Sequence, residues 1–195
     1  MKREQVTIYC ASSPMVDSCF FEATDRLAQL LALRGTTIVY GAGKQGLMGC
    51  VADGVLSRGG KAIGVIPRFM VERDWCHNNL TQLVVTENMH ERKESMAQMG
   101  EAAIALPGGC GTLEELLEII TWKQLGLYTH PIIILNTANY YTPLLQMLQN
   151  AIDNHFMRDI HASLWYVAQT PEEVIAALDS IKEWDATMGK FAVVK

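Results

Sequence analysis

Short apolar runs alternate along this chain with stretches in which apolar residues recur every three or four positions. The runs at 6–11, 36–40, 61–66, 82–86, 102–106, 132–135 and 164–168 predict strands. Between them, Phe20, Ala23, Leu27, Leu30 and Leu31 mark a helix that closes near Gly35. Similar spacing predicts helices over 47–58, 88–99, 143–155 and 171–184, and another from a glycine-rich turn at 107–112 to about Gly126. Residues 67–80 mix Arg68, Arg73, Asp74, Trp75 and His77 without a period and predict a loop or short helix; residues 185–195 read as a tail. Strands that alternate with helices imply right-handed crossovers and a parallel sheet covered on both faces. The expected fold is α/β: a Rossmann-like, doubly wound parallel sheet in a single domain over 1–195, with ligands at the carboxyl ends of its strands.

Composition narrows the function classes. The 195 residues are 49% apolar and 19% charged, enough for one well-buried core. A net charge of −5 and a pI near 5.5 argue against extended contact with nucleic acid or an anionic membrane, while permitting a small basic site for one phosphate. No apolar run approaches a membrane span, and Met1-Lys2-Arg3-Glu4-Gln5 leads directly into a strand, so a cytoplasmic location is expected. Cys10, Cys19, Cys50, Cys76 and Cys110 form no Cys-x-x-Cys, and most read as small core residues. The histidines make no His-x-x-x-His pair, and no bound metal is expected.

The chemistry gathers around Leu106-Pro107-Gly108-Gly109-Cys110-Gly111-Thr112. Glycine bears no Cβ to block a ligand, so three of them around Cys110, between a strand and a helix, can turn backbone N–H groups toward one anion. A phosphate is the natural occupant. A charge at a helix N-terminus gains roughly 0.3–2 kcal/mol, whereas micromolar binding needs about 8. Cationic side chains must therefore come from elsewhere.

The helix over 88–99 offers them. Positions 89, 92, 96 and 99 share one face; three are methionines and the fourth is Arg92, with Lys93 beside it. Arg92 either snorkels to solvent along its alkyl stem or is held near the strand edge by an arriving anion. Thr112-x-x-Glu115 reads either as a capping box or as a carboxylate that stays ionised near the helix start and faces developing positive charge. Glu114 and Glu118 are expected on the solvated face. Gly41-x-Gly43-x-x-Gly46 matches a dinucleotide fingerprint on paper, but it follows the second strand, and Ile66-Pro67-Arg68 supplies no acid for a ribose. A glycine-rich wall of the same cleft is the better reading.

Met89-x-x-Arg92-Lys93 followed by Pro107-Gly108-Gly109-Cys110-Gly111-Thr112-x-x-Glu115 resembles the paired signature of the LONELY GUY (LOG) family, the cytokinin riboside 5'-monophosphate phosphoribohydrolases. Tyr40-Gly41-Ala42-Gly43, Gly46-Leu47-Met48-Gly49, Ile63-Gly64-Val65-Ile66-Pro67 and the segment from Ile120 to Gly126 are also similar to family segments, in family order. The resemblance implies a Rossmann-like homodimer with its active site near the subunit interface. It implies cleavage of the N-glycosidic bond of a nucleoside 5'-monophosphate, without cofactor or metal, to a free base and ribose 5-phosphate. Arg92 and Glu115 would be the catalytic pair. Asp74, Met89, Lys93, Gly43, Gly108, Gly109, Cys110, Gly111, Thr112 and Thr121 would line the nucleotide site, with Asp74 standing where many relatives have Glu and Cys110 where many have an aromatic. A non-catalytic nucleotide or molybdopterin carrier of the same fold is the alternative. Some relatives are labelled lysine decarboxylases, a chemistry that calls for pyridoxal phosphate on a lysine.

Overall fold

The computed structural model describes residues 2–188. Seven strands form one all-parallel sheet: β1 (Gln5–Tyr9), β2 (Thr37–Tyr40), β3 (Ala62–Pro67), β4 (Gln82–Thr86), β5 (Ala103–Ala105), β6 (Ile132–Leu135) and β7 (Tyr166–Ala168). Their order across the sheet is β4-β3-β2-β1-β5-β6-β7. The helices between them are α1 (Ser18–Arg34), α2 (Gly46–Leu56), α3 (Arg68–Glu72), α4 (Met89–Met99), α5 (Cys110–Gln124), α6 (Thr142–Asp153) and α7 (Pro171–Ser180). This is the doubly wound arrangement the alternating pattern predicts.

Side chains alternate across the pleat and so build two cores. Val6, Ile8 and Ile38 pack with Leu27, Leu31, Val51 and Leu178 on one face. Tyr9, Val39, Val65 and Ile134 pack with Met96, Leu116 and Ile120 on the other. The sheet order reverses direction between β1 and β5, whose registers pair Ile8 with Tyr40 on one side and with Ile104 on the other. Crossovers leave that point in opposite directions, opening a crevice at the strands' carboxyl ends.

Several boundaries differ from the sequence reading. Strand β1 ends at Tyr9 rather than Ala11, because Ala11 turns to bond Pro107 O through its N–H and Met48 N through its carbonyl. Helix α1 closes at Gly35 with φ 72°, as expected for a left-handed C-cap. The irregular segment 67–80 holds the short α3 and then a turn in which Asp74 adopts φ 58°. Helix α7 stops at Ser180: Ile181 is extended, and Trp184 N donates to Thr129 O at 2.7 Å, so 181–184 run as a strap over the 126–131 loop. Of the expected tail, Ala186–Met188 form a 3-10 turn and 189–195 lie outside the described residues. Among the described residues no helix is long and apolar enough to cross a membrane.

Candidate active site

The crevice between β1 and β5 is a cavity of about 650 Å³. Every wall comes from the carboxyl end of a strand or the helix after it. Cys10 to Ser13 follow β1, Gly41 to Gln45 follow β2, Ile66 ends β3, Met89 and Arg92 belong to α4, and Gly109 to Thr112 open α5.

Helix α4 begins where Asn88 caps it, its side-chain oxygen accepting from His90 N and Glu91 N at 3.0 Å each. One turn later Arg92 points inward and is 5% exposed. It does not snorkel. Its Nε donates to Val65 O at 3.2 Å and Nη2 to Gly41 O at 3.3 Å. Gly41 is obligatory for this pose, since a Cβ there would stand 1.8 Å from Nη2. Of the methionines on the same face, Met96 and Met99 join the core, whereas Met89 lines the cavity with its sulfur 3.8 Å from Arg92 Nη1.

Helix α5 starts at Cys110 with Gly109 as N-cap and no side-chain cap. Thr112 is therefore already inside the first turn, and the capping box, one of the two readings of this spacing, does not form. The opening N–H groups of an α-helix have no partner within it, and here they face the cavity wall. The loop is held from behind: Tyr140 OH donates to Gly108 O at 2.6 Å and Tyr141 OH to Leu106 O at 2.7 Å. Gly108 packs on Thr112, whose Oγ1 would lie 2.1 Å from an added Cβ, while a Cβ on Gly109 or Gly111 would meet no protein atom within 4 Å. Those two glycines keep the wall bare toward the cavity they line.

Glu115, one turn further, is 6% exposed, and its Oε1 lies 3.8 Å from Arg92 Nη1. Burial pushes its carboxyl up to about 7, against the opposing pull of the Arg92 guanidinium. Burial thus works against the ionised form that one of the two readings of Glu115 calls for, and Arg92 works for it.

Three other expected site residues sit differently. Lys93 does not line the cavity; it is buried beneath α5, donating to Glu114 at 2.8 Å and Glu118 at 3.2 Å. Those bonds hold its ammonium above the usual lysine range and Glu114 below the usual carboxylate range. Its ammonium is thus already paired with two carboxylates, and Glu114, expected on the solvated face, reaches the cavity wall as well. Asp74 is exposed at the rim and pairs with Lys44 at 2.6 Å; Lys44 and Trp75 line the cavity beside it. Thr121 lies on the outer face of α5, donating to Leu117 O at 2.8 Å, away from the cavity. Gly43 and Cys110 line the cavity as expected; Gly108 stands behind the loop. Sequence reasoning missed Ser12, Ser13, Lys44, Met48 and Met70, which also line it. The signal for the serines was their place just past the first strand, at the switch point.

Among the described residues no group of three or more His, Cys, Asp or Glu side chains is placed to hold a metal. For pyridoxal phosphate the lysine lining the cavity is Lys44, which is committed to an ion pair at the rim rather than desolvated as a Schiff-base amine requires.

Fold and site together define a doubly wound α/β protein whose cavity is lined by a bare helix N-terminus and a buried Arg–Glu pair. The family model described as "Possible lysine decarboxylase" matches residues 48–178. The chain is 37% identical over 179 residues to a cytokinin riboside 5'-monophosphate phosphoribohydrolase of Arabidopsis thaliana, covering 92% of this chain and 78% of that one. It is 38% identical over 178 residues to the enzyme of that name from Rhodococcoides fascians, covering 91% and 90%. Among solved structures, the molybdenum cofactor binding protein of Rippkaea orientalis superposes with a TM-score of 0.69 at 20% identity, over 92% of this chain and 98% of that one. The Moco carrier protein of Chlamydomonas reinhardtii does so at 0.70 and 19%, over 91% and 96%. At such identities the structural likeness concerns the fold. The chain belongs to the LONELY GUY family, as its sequence motifs imply.

Proposed function

We propose that this chain hydrolyses the N-glycosidic bond of cytokinin riboside 5'-monophosphates, or of AMP-type nucleotides, in the cytoplasm, releasing the free base and ribose 5-phosphate. One observation carries the reading: a buried guanidinium and a buried carboxyl 3.8 Å apart at a cavity also lined by the uncapped N-terminus of the helix that bears the carboxyl. That helix end suits a phosphate, and the pair then faces the sugar.

Cleavage passes through an oxocarbenium-like state at C1'. The C1'–N bond breaks with its electrons going to the base nitrogen; water oxygen bonds C1'; one proton leaves the water and one joins the base. Arg92 stays charged and cannot donate a proton; it neutralises charge gathering on the departing base or the phosphate. Ionised Glu115 stabilises the cationic sugar and takes the water's proton. With its carboxyl titrating near 7, it can then return that proton to the base, so one residue closes the proton balance.

The relatives named as phosphoribohydrolases support this choice over the carrier alternative. A homodimer with the site near its interface belongs to the same reading, supported by the exposed Leu117, Leu125 and Leu127 on and just after α5, the face that carries Thr121. The test is incubation with an isopentenyladenine ribotide and with AMP under chelator. Equimolar base and ribose 5-phosphate are expected; stoichiometric binding without product would favour a carrier.

A further inference from the structure

We propose that Trp75 is the clamp for the base, a specificity-determining residue set on the side of the cavity away from the phosphate wall. The inference rests on the nucleotide reading above and extends it to a residue in the segment whose pattern shows no period.

The geometry of that segment is tightly specified. Asp74 adopts the left-handed region at φ 58°, and its carboxylate pairs with Lys44. Trp75 N donates to Met70 O and Lys44 N to Trp75 O, each at 3.2 Å, and His77 N donates to Ala42 O at 2.8 Å. Gly43 and Cys76 form an antiparallel bridge. The turn is thus zipped along the 41–44 loop, which fixes the backbone from which the indole projects. Arg73 lies 5.3 Å over the Trp75 ring and 5.5 Å over Phe69, bracing one side of the indole. Trp75 as a residue is nevertheless 48% exposed, and it lines the cavity. An indole fixed from behind and open toward a cavity is a stacking surface awaiting a flat partner.

Position in the sheet fixes which part of a nucleotide would reach it. The bare helix N-terminus follows β5, and the Trp75 turn follows β3; between them lie β1 and β2. Three inter-strand steps of about 4.8 Å separate the two walls by roughly 14 Å. Arg92 is anchored at β2 and β3 through Gly41 O and Val65 O, and its Nη1 reaches to 3.8 Å from Glu115 on the α5 side. With phosphate at α5 and the sugar over the Arg92–Glu115 pair, the base falls toward Trp75, beside Met70, Met48 and Ile66, which complete an apolar surround. Stacking on an aromatic side chain tolerates different bases, so the clamp favours any purine, and its apolar neighbours favour an alkyl substituent on it.

The test compares wild type, Trp75→Ala and Trp75→Phe using an isopentenyladenine ribotide, AMP, and ribose 5-phosphate, which lacks a base. Trp75→Ala is expected to raise KM for the two nucleotides roughly 5- to 100-fold with kcat within about threefold; Trp75→Phe recovers most of the loss. Inhibition by ribose 5-phosphate stays as in wild type. Unchanged nucleotide KM overturns the proposal. So does equal weakening of ribose 5-phosphate, which would make the indole a prop for the 41–44 loop. Binding is read separately, by equilibrium dialysis of AMP. Trp75-dependent binding without base release would sink the hydrolase reading and keep the clamp; base release indifferent to Trp75 would do the reverse.

Discussion

The guanidinium of Arg92 lies across the backbone of Gly41, donating to its carbonyl at 3.3 Å where a single added methyl carbon would stand 1.8 Å from the donor nitrogen. A residue on the second strand's loop thereby decides where a charge from the fourth helix sits. Gly41→Ala should displace the guanidinium by an ångström or more and lower kcat/KM about 100-fold, with the melting temperature little changed. Steady-state kinetics beside a thermal melt check this; full activity in a folded Gly41→Ala protein would show that Arg92 need not occupy this position.

Glu115 sets the pH dependence. Its ionised form is the one that faces a cationic sugar, and burial pushes its carboxyl up to about 7. Accordingly kcat/KM should fall about tenfold per unit below that pH and level off above it, because this ratio reports the free enzyme. A profile flat from pH 5 to 8 would remove Glu115 from the chemistry.

The same burial makes Glu115 costly to the fold. The folded carboxyl titrates near 7 and the unfolded one near 4.5, so the folded state holds the proton more tightly. The penalty is absent below about pH 4.5, grows as pH rises, and is complete above about pH 7. Glu115→Gln mimics the protonated group and should be more stable than wild type at pH 8 by on the order of 3 kcal/mol, with the difference vanishing near pH 4.5. Denaturant melts at the two pH values measure it; equal stability at pH 8 would contradict the assignment.

Lys93 acts through its neighbours. Lys93→Met removes the shared partner of Glu114 and Glu118 and should destabilise by on the order of 1 kcal/mol. It also removes a positive charge that holds Glu115 down. The acidic limb of kcat/KM should move to higher pH, while KM at pH 8.5 stays within about threefold. A large loss of affinity there would instead mark Lys93 as a direct anion ligand.

Much of this was legible in the sequence for a physical reason: β1, β2, β3, β5 and β6 are buried on both faces, so each is a largely apolar run, and Asn88 and Gly35 are strong helix-end signals. Arg92 stood out because a permanent charge broke a methionine stripe. What local pattern could not convey was long-range. Thr112-x-x-Glu115 satisfies the capping-box spacing, yet the helix begins two residues before Thr112 because Tyr140 and Tyr141, some thirty residues on, grip Gly108 and Leu106. The partners of Lys93 lie on a different helix from Lys93 itself. Trp75 sits in a segment whose order comes from bonds to the 41–44 loop, which leave no periodic trace.

The most direct test of the central claim, that Arg92 and Glu115 act as one unit on the glycosidic bond, is a double-mutant cycle in kcat/KM with Arg92→Ala, Glu115→Gln and the combined variant at pH 8. Groups that work together lose nearly everything when either is removed, so the combined variant should be no slower than the worse single one. Losses that multiply would show two independent residues and contradict the account.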